Sequence, residues 1–287
     1  MTHTGPRSHT ERDVPADTHV DGRSPGATAV ASCALCLLLL AWTGGALALD
    51  IFTLWRQPEA VMRIAPGCRV DYLATSLEAG RRRVELLRIQ CVGETESDWT
   101  IEVLPLTETP DGREPLPGEG LRLTVDRGLA DRTGSLVDHV REVVQWQEGE
   151  VRSLPPAQWR DDPLTGAFLD SDFVADSKSS EGRTTRVVGE ADLLCEQFTL
   201  VADDTTRIDL PRGRMLQIHR REVSAAIHEE VPFLGVAYAA ERTETRSELE
   251  PAGRREPPPP SLRVEIMELL DFGTDAVSCL GGLESSF

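Results

Sequence analysis

Between residues 68 and 92 apolar and polar side chains alternate on either side of one short break, Glu78-Ala79-Gly80-Arg81. Alternation flanking a glycine-containing turn predicts a β-hairpin. With the turn centred between Ala79 and Gly80, Tyr72 faces Leu87, Val70 faces Ile89 and Cys68 faces Cys91. On the opposite side Asp71 meets Arg88 and Leu73 meets Leu86. A slip of one residue would set Val70 against Arg88 and Cys68 against Gln90, and would send every side chain of the strand to the other face. The first register keeps apolar residues together. Directly opposed cysteines come within reach of a disulfide, so a Cys68–Cys91 bond is expected in an oxidising compartment. Two buried free thiols are the alternative.

The pattern continues along the chain. Residues 99–104 and 121–126 alternate and flank a Pro-, Gly- and Glu-rich stretch, which predicts a second hairpin with a long exposed loop. Leu136, Val140, Val143 and Val144 fit helical spacing with Ser135 as a cap, yet 140–146 and 151–154 also fit a hairpin. The expectation is a short helix running into a strand. Pro155-Pro156 then imposes extended chain. Further strands are expected over 184–188, 193–201, 206–210, 215–223, 234–248 and 262–270, with a turn at Asp203-Asp204. The proline-rich stretch 251–260 reads as an exposed connector and 281–287 as a frayed tail. About eight to ten strands with one or two short helices predict a mainly β fold: a curled antiparallel sheet, or half-open β barrel.

Ahead of these elements stands a different kind of sequence. Residues 1–26 read as a disordered leader, 27–49 as an uncharged apolar run, and 50–287 as a single mostly β domain. The apolar run is long enough to cross a bilayer as a helix. It also ends in Ala46-Leu47-Ala48, the small-x-small pattern before a signal-peptidase cut. Two readings stand: a signal peptide cut after Ala48, or a single-pass membrane anchor through 27–49. The long, net-acidic leader is atypical of a signal peptide. Val30-Ala31-Ser32-Cys33 has lipobox character but opens the apolar run instead of closing it, so a lipid anchor is rejected. Either surviving reading puts 50–287 outside the cytoplasm, in a periplasm or cell envelope.

Charge narrows the partners. The net charge is −18 and Lys178 is the only lysine. Such a balance argues against nucleic acid and against a domain held on anionic lipid by charge. Arg81-Arg82-Arg83 beside Gly80 reads as a solvated turn.

Candidate chemistry is sparse. The four cysteines beyond the apolar run, Cys68, Cys91, Cys195 and Cys279, form no CxxC pair. His228-Glu229-Glu230-Val231-Pro232 opens like a zinc-protease helix, but proline stands where the second histidine is needed. His219 and His228 sharing one metal is weighed against two unrelated surface histidines, the better reading. Asp170, Asp172 and Asp176 form an acidic cluster, but Ala175 stands where a calcium loop requires glycine. No GxSxG, GxGxxG or GKS/T motif occurs. No catalytic residue, metal site or cofactor is therefore expected.

One resemblance adds to this. Leu164-Thr-Gly-Ala-Phe-Leu-Asp-Ser-Asp-Phe173 resembles the Gly-x-Phe-x-x-Ser-Asp-Phe region of exported bacterial proteins of the outer-membrane lipoprotein-sorting, LolA-like superfamily. Val188-Gly-Glu-Ala-Asp-Leu-Leu-Cys195 resembles a strand entry, and Val231-Pro-Phe-Leu-Gly-Val236 a late turn, of the same proteins. The likeness covers roughly residues 160–250. It implies a half-open barrel with helices on its concave face, and a lipid or lipoprotein acyl chain as the partner held there. Expectations for function are thus an envelope protein binding a lipid in a concave cavity, or a non-catalytic structural or interaction domain with a filled core. An exported hydrolase built on His139, His219 or His228 ranks last.

Overall fold

The computed structural model describes residues 54–134, 136–147, 149–154, 174–210, 213–250 and 257–281. The leader, the apolar run with Ala48, the motif at 164–173 with Asp170 and Asp172, Pro155-Pro156, most of the proline-rich stretch and the last six residues lie outside them. Among the described residues no helix is long and apolar enough to cross a membrane.

Twelve strands form one antiparallel sheet: β1 (Arg69–Glu78), β2 (Arg81–Glu94), β3 (Asp98–Thr109), β4 (Gly112–Pro115), β5 (Gly120–Asp126), β6 (Val140–Gln147), β7 (Glu150–Leu154), β8 (Ser177–Val188), β9 (Ala191–Leu210), β10 (Gly213–Ile227), β11 (Val236–Glu250) and β12 (Ser261–Gly273). The order is β7-β6-β5-β3-β2-β1-β12-β11-β10-β9-β8, with β4 on β3. The sheet does not close, and β7 and β8 are its two edges. The α-helix α1 (Leu136–His139) is one turn long and runs directly into β6, as its mixed pattern predicts.

The first hairpin has the register read from the sequence: Val70 opposite Ile89, Asp71 opposite Arg88, Tyr72 opposite Leu87 and Leu73 opposite Leu86. Ala79 (φ 49°) and Gly80 (φ 76°) make the tight two-residue turn, with the positive φ values that match strand twist. The second hairpin also forms, with Trp99 opposite Val125 and Ile101 opposite Leu123, and its loop carries β4. The turn expected at Asp203-Asp204 does not form. Strand β9 runs straight through, because Asp203 and Asp204 pair with Arg220 and His219 of β10 and the Asp176 carboxylate accepts the Asp203 N–H at 2.8 Å.

Alternation sorts the side chains onto two faces. The inner face carries Val70, Tyr72, Ile89, Ile101, Val103, Leu123, Val143, Leu200, Val223, Ala225, Ala239 and Met267, which join one buried cluster. Residues 54–67 lie across that face as irregular chain, inserting Leu54 and Trp55. The 228–235 loop adds Val231, Phe233 and Leu234. Backbone hydrogen bonds between Arg63 and Phe233, 2.7 and 2.8 Å, tie the two segments together. Gly235 (φ 77°) is required in that loop, since a Cβ there would stand 2.8 Å from Ile227 Cγ2. This irregular plug covers the inner face, joined by Leu129 of a short 3-10 turn at Arg127–Asp131. Arg132 donates to the Gln57 and Ala60 carbonyls while Lys178 of β8 pairs with Glu59. The plug thereby spans from the β5–β6 side of the sheet to its β8 edge.

Candidate functional site

Two regions gather charge where solvent is scarce. The first is the far end of the inner face, beyond the plug. Strand register sets Val223, Glu241, Glu265, Ser76 and Arg83 in one row across β10, β11, β12, β1 and β2. The next row outward is Arg221, Thr243, Arg263 and Glu78. His219 and Thr245 follow, with 3.0 Å between His219 Nδ1 and Thr245 Oγ1. Directly opposed glutamates repel, yet Glu241 and Glu265 are both buried. Arginines hold them there. Arg221 donates to both Glu241 oxygens at 2.9 Å, Thr243 adds 2.8 Å to the same carboxylate, and Arg263 pairs with Glu265 at 2.5 Å. The bidentate fork supplies both charge and direction. This mouth is a mixed, self-neutralising lattice over an apolar core.

The second region lies on the outer face. Asp71 is almost fully buried and is met by Arg88 at 2.7 and 2.9 Å, by Arg69 at 3.6 Å and by Arg113 of β4 at 3.8 Å. Two strands further, on β3, Glu102 has no exposed surface and accepts from Gln90, Arg122, Ser278 Oγ and the Cys279 N–H. The last two donors come from residues 274–281, a strap that crosses β1, β2, β3 and β5. Arg122 donates to the Leu280 carbonyl and lies 5.0 Å above the Trp146 ring. Leu280 completes a small apolar cluster with Leu104, Val144 and Trp146. At the start of the strap Arg69 donates to Asp275 at 2.8 Å, and that contact holds the Asp275 carboxyl below its ordinary range.

The residues singled out from sequence fare differently. Cys68, the residue before β1, lies beside Cys91 of β2, whose N–H donates to the Cys68 carbonyl at 2.9 Å. Both are free thiols in the structure, so the expected bond is not present in it. The Cys91 thiol instead donates to the Gly93 carbonyl at 3.4 Å. The neighbouring Cys91 side chain brings the Cys68 thiol down to about 7, while the Cys68 side chain and burial push Cys91 up. Cys195 is buried and its thiol is pushed up by desolvation; Cys279 is exposed. His219 and His228 are not brought together: nine strand positions separate them, roughly 30 Å along β10 and its end. His139 bonds the Thr133 carbonyl at 2.7 Å and meets Trp55 edge-on, in the role of a packing residue. Among the described residues no group of three or more His, Cys, Asp or Glu is arranged to hold a metal.

Sequence reasoning paired Asp71 with Arg88 but missed Glu102. The alternation of 99–104 places Glu102 on the polar side of β3, which reads as solvent, and only the strap buries it. A cleft of about 460 Å³ opens at the β8 edge, between Arg56 and Gln57 of the plug and Val174, Ala175, Lys178 and Leu200.

No family model matches the chain, and no curated protein matches it. Among solved structures, a DUF1329 family protein from Desulfovibrio piger is similar in part. It is 9% identical, with a TM-score of 0.25, and the match covers 78% of this chain and 90% of that one.

Proposed function

We propose that this protein is a non-catalytic interaction module of the bacterial cell envelope, built on a LolA-like half-open sheet whose concave face has been filled by its own chain. The observation that carries the reading is the plug. Leu54, Trp55, Phe233 and Leu234 are at most 1% exposed and occupy the apolar end of the inner face, where a carrier would hold an acyl chain. The remaining end is lined by Glu241, Glu265, Arg221 and Arg263, which a hydrocarbon tail would desolvate at a cost of several kcal/mol per group. Export is part of the proposal and rests on the apolar run 27–49 and on Ala46-Leu47-Ala48.

The test is native mass spectrometry and solvent extraction of the full chain purified from its host. The mass of the polypeptide alone is expected. A stoichiometric lipid or acyl chain would overturn the filled-core reading. It would support a second one, in which an acyl chain enters the cleft at the β8 edge along Val174, Ala175 and Leu200 with its carboxylate toward Lys178 and Arg56. N-terminal sequencing of the same material tests export. A start at Leu49 follows from cleavage after Ala48, an intact leader in the membrane fraction follows from anchoring, and an intact leader in the cytosol removes the envelope from the proposal.

A further inference from the structure

We propose that the second half of β8, residues 183–188, is a strand-addition site for an extended peptide of another polypeptide in which acidic and apolar residues alternate. The proposal rests on the reading of this chain as an interaction module and names the surface that interacts. The two edges of the open sheet differ. Strand β7 is five residues long, whereas β8 has twelve and contains no proline. A long free edge is a template for a further strand, and proteins blunt such edges with lysines, prolines or bulges. Here the one lysine of β8, Lys178, is turned to Glu59 of the plug, and the one register shift falls at Ser180/Gly182. Over 183–188 the strand pairs regularly with β9 and, among the described residues, with nothing on its other side.

The turn sets which backbone groups are free. Gly189-Glu190 joins Val188 directly to its partner Ala191, so these two close the hairpin as a hydrogen-bonded pair. Alternation then gives Arg186–Leu193 and Thr184–Cys195 to the β9 ladder, and turns the N–H and C=O groups of Arg183, Thr185 and Val187 outward. Side chains along the same edge alternate between two faces. On one face Val187 is 71% exposed and Leu194, opposite Thr185, is 53% exposed. On the other, the Arg186 guanidinium lies 4.0 Å from the centre of the Tyr238 ring.

Charge decides the occupant. The chain carries −18, yet β8 sets Lys178, Arg183 and Arg186 against Glu181 alone. Two copies of such an edge repel each other, whereas an acidic strand is attracted. Arg69, Arg88, Arg122 and Arg221 each hold a carboxylate, and Arg183 pairs with Glu196 at 3.5 Å. Arg186 has no carboxylate partner among the described residues. Its β9 neighbours on that face are Leu193 and Cys195, and its Nε is buried without a hydrogen-bond partner. A half-buried guanidinium without a counter-charge is suited to receive a carboxylate. An added strand therefore sets an acid beside Arg186 and, one residue along, an apolar side chain beside Val187.

The probe is a fluorescein-labelled peptide of Glu-Val repeats, titrated against the full chain and read by fluorescence anisotropy and by hydrogen exchange. Expected are saturable binding and exchange slowed by about tenfold or more at the amides of Arg183, Thr185 and Val187. A Lys-Val peptide should not bind, and equal binding overturns the charge argument. The Glu-Val peptide N-methylated at two successive central residues, which blocks both of its edges, should not bind either, and equal binding overturns strand addition. Arg186→Gln should weaken binding by about tenfold. Thr185→Pro removes one outward N–H and leaves the β9 ladder its donors, so it should also weaken binding. Unchanged affinity in Arg186→Gln, or protection that falls outside 183–188, overturns the site. A dimeric mass with 183–188 already protected in the chain alone assigns the edge to a second copy and overturns the acidic occupant. Native mass spectrometry of the same preparation keeps the two readings apart: a bound lipid removes the interaction module, whereas an empty core with no peptide bound overturns only the edge.

Discussion

The two faces of this sheet are covered by opposite means. The inner face is sealed by a plug of Leu54, Trp55, Phe233 and Leu234, whose contribution is apolar area removed from water. The outer face is sealed by a strap whose grip is polar. Glu102 collects donors from Gln90, Arg122, Ser278 and Cys279, and Leu280 supplies a single apolar anchor. An apolar seal tolerates shape changes that keep volume. A buried ionic seal fails sharply when one partner is lost, because the charge left behind stays in low dielectric. The sheet thus has one forgiving side and one exacting side.

Mutations can break or sharpen that contrast. Truncating Phe233 or Trp55 to Ala should cost the most, about 3–5 kcal/mol in equilibrium urea unfolding, whereas Leu54→Met should cost under ~1.5 kcal/mol. On the outer face Asp71→Ala should cost about 3 kcal/mol by leaving Arg88 and Arg69 without their shared carboxylate. The paired change Asp71→Leu with Arg88→Met should recover most of that loss. If the double variant is as unstable as Asp71→Ala, the ionic account of the outer face is wrong. Leu280→Ala should cost about 2 kcal/mol and release the strap, read as faster hydrogen exchange at Cys279 with the plug unchanged. At the charged mouth Arg221 is a third exposed, so Arg221→Met should cost about 1 kcal/mol or less. The smallest effect is a gain: Ala79 holds φ 49°, so Ala79→Gly should stabilise by up to ~1 kcal/mol.

Much of the fold was legible because it is local. The hairpin register followed from matching Val70, Tyr72, Leu87 and Ile89 around a two-residue turn, and the helix-into-strand junction at 136–147 followed from its mixed spacing. The strand break at Asp203-Asp204 was misjudged for an instructive reason. Two adjacent aspartates favour a turn when nothing faces them, but here Arg220 and His219 stand opposite on β10 and Asp176 caps the edge. The candidate site was less legible. Glu241 and Glu265 looked like two of many solvated acids until β11 and β12 paired in register. Glu102 looked exposed until residues more than 170 positions away covered it.

By itself, then, the amino-acid order determined the period-two pattern, the turns and the pairing of nearest strands, since these depend on residues within about 25 positions of each other. Only the tertiary structure decided which face of each strand is dry, because that depends on distant segments arriving to cover it. Residues 54–67 of the apolar plug and the polar strap come from opposite ends of the described chain. Neither carries in its own sequence a mark of the surface it will bury.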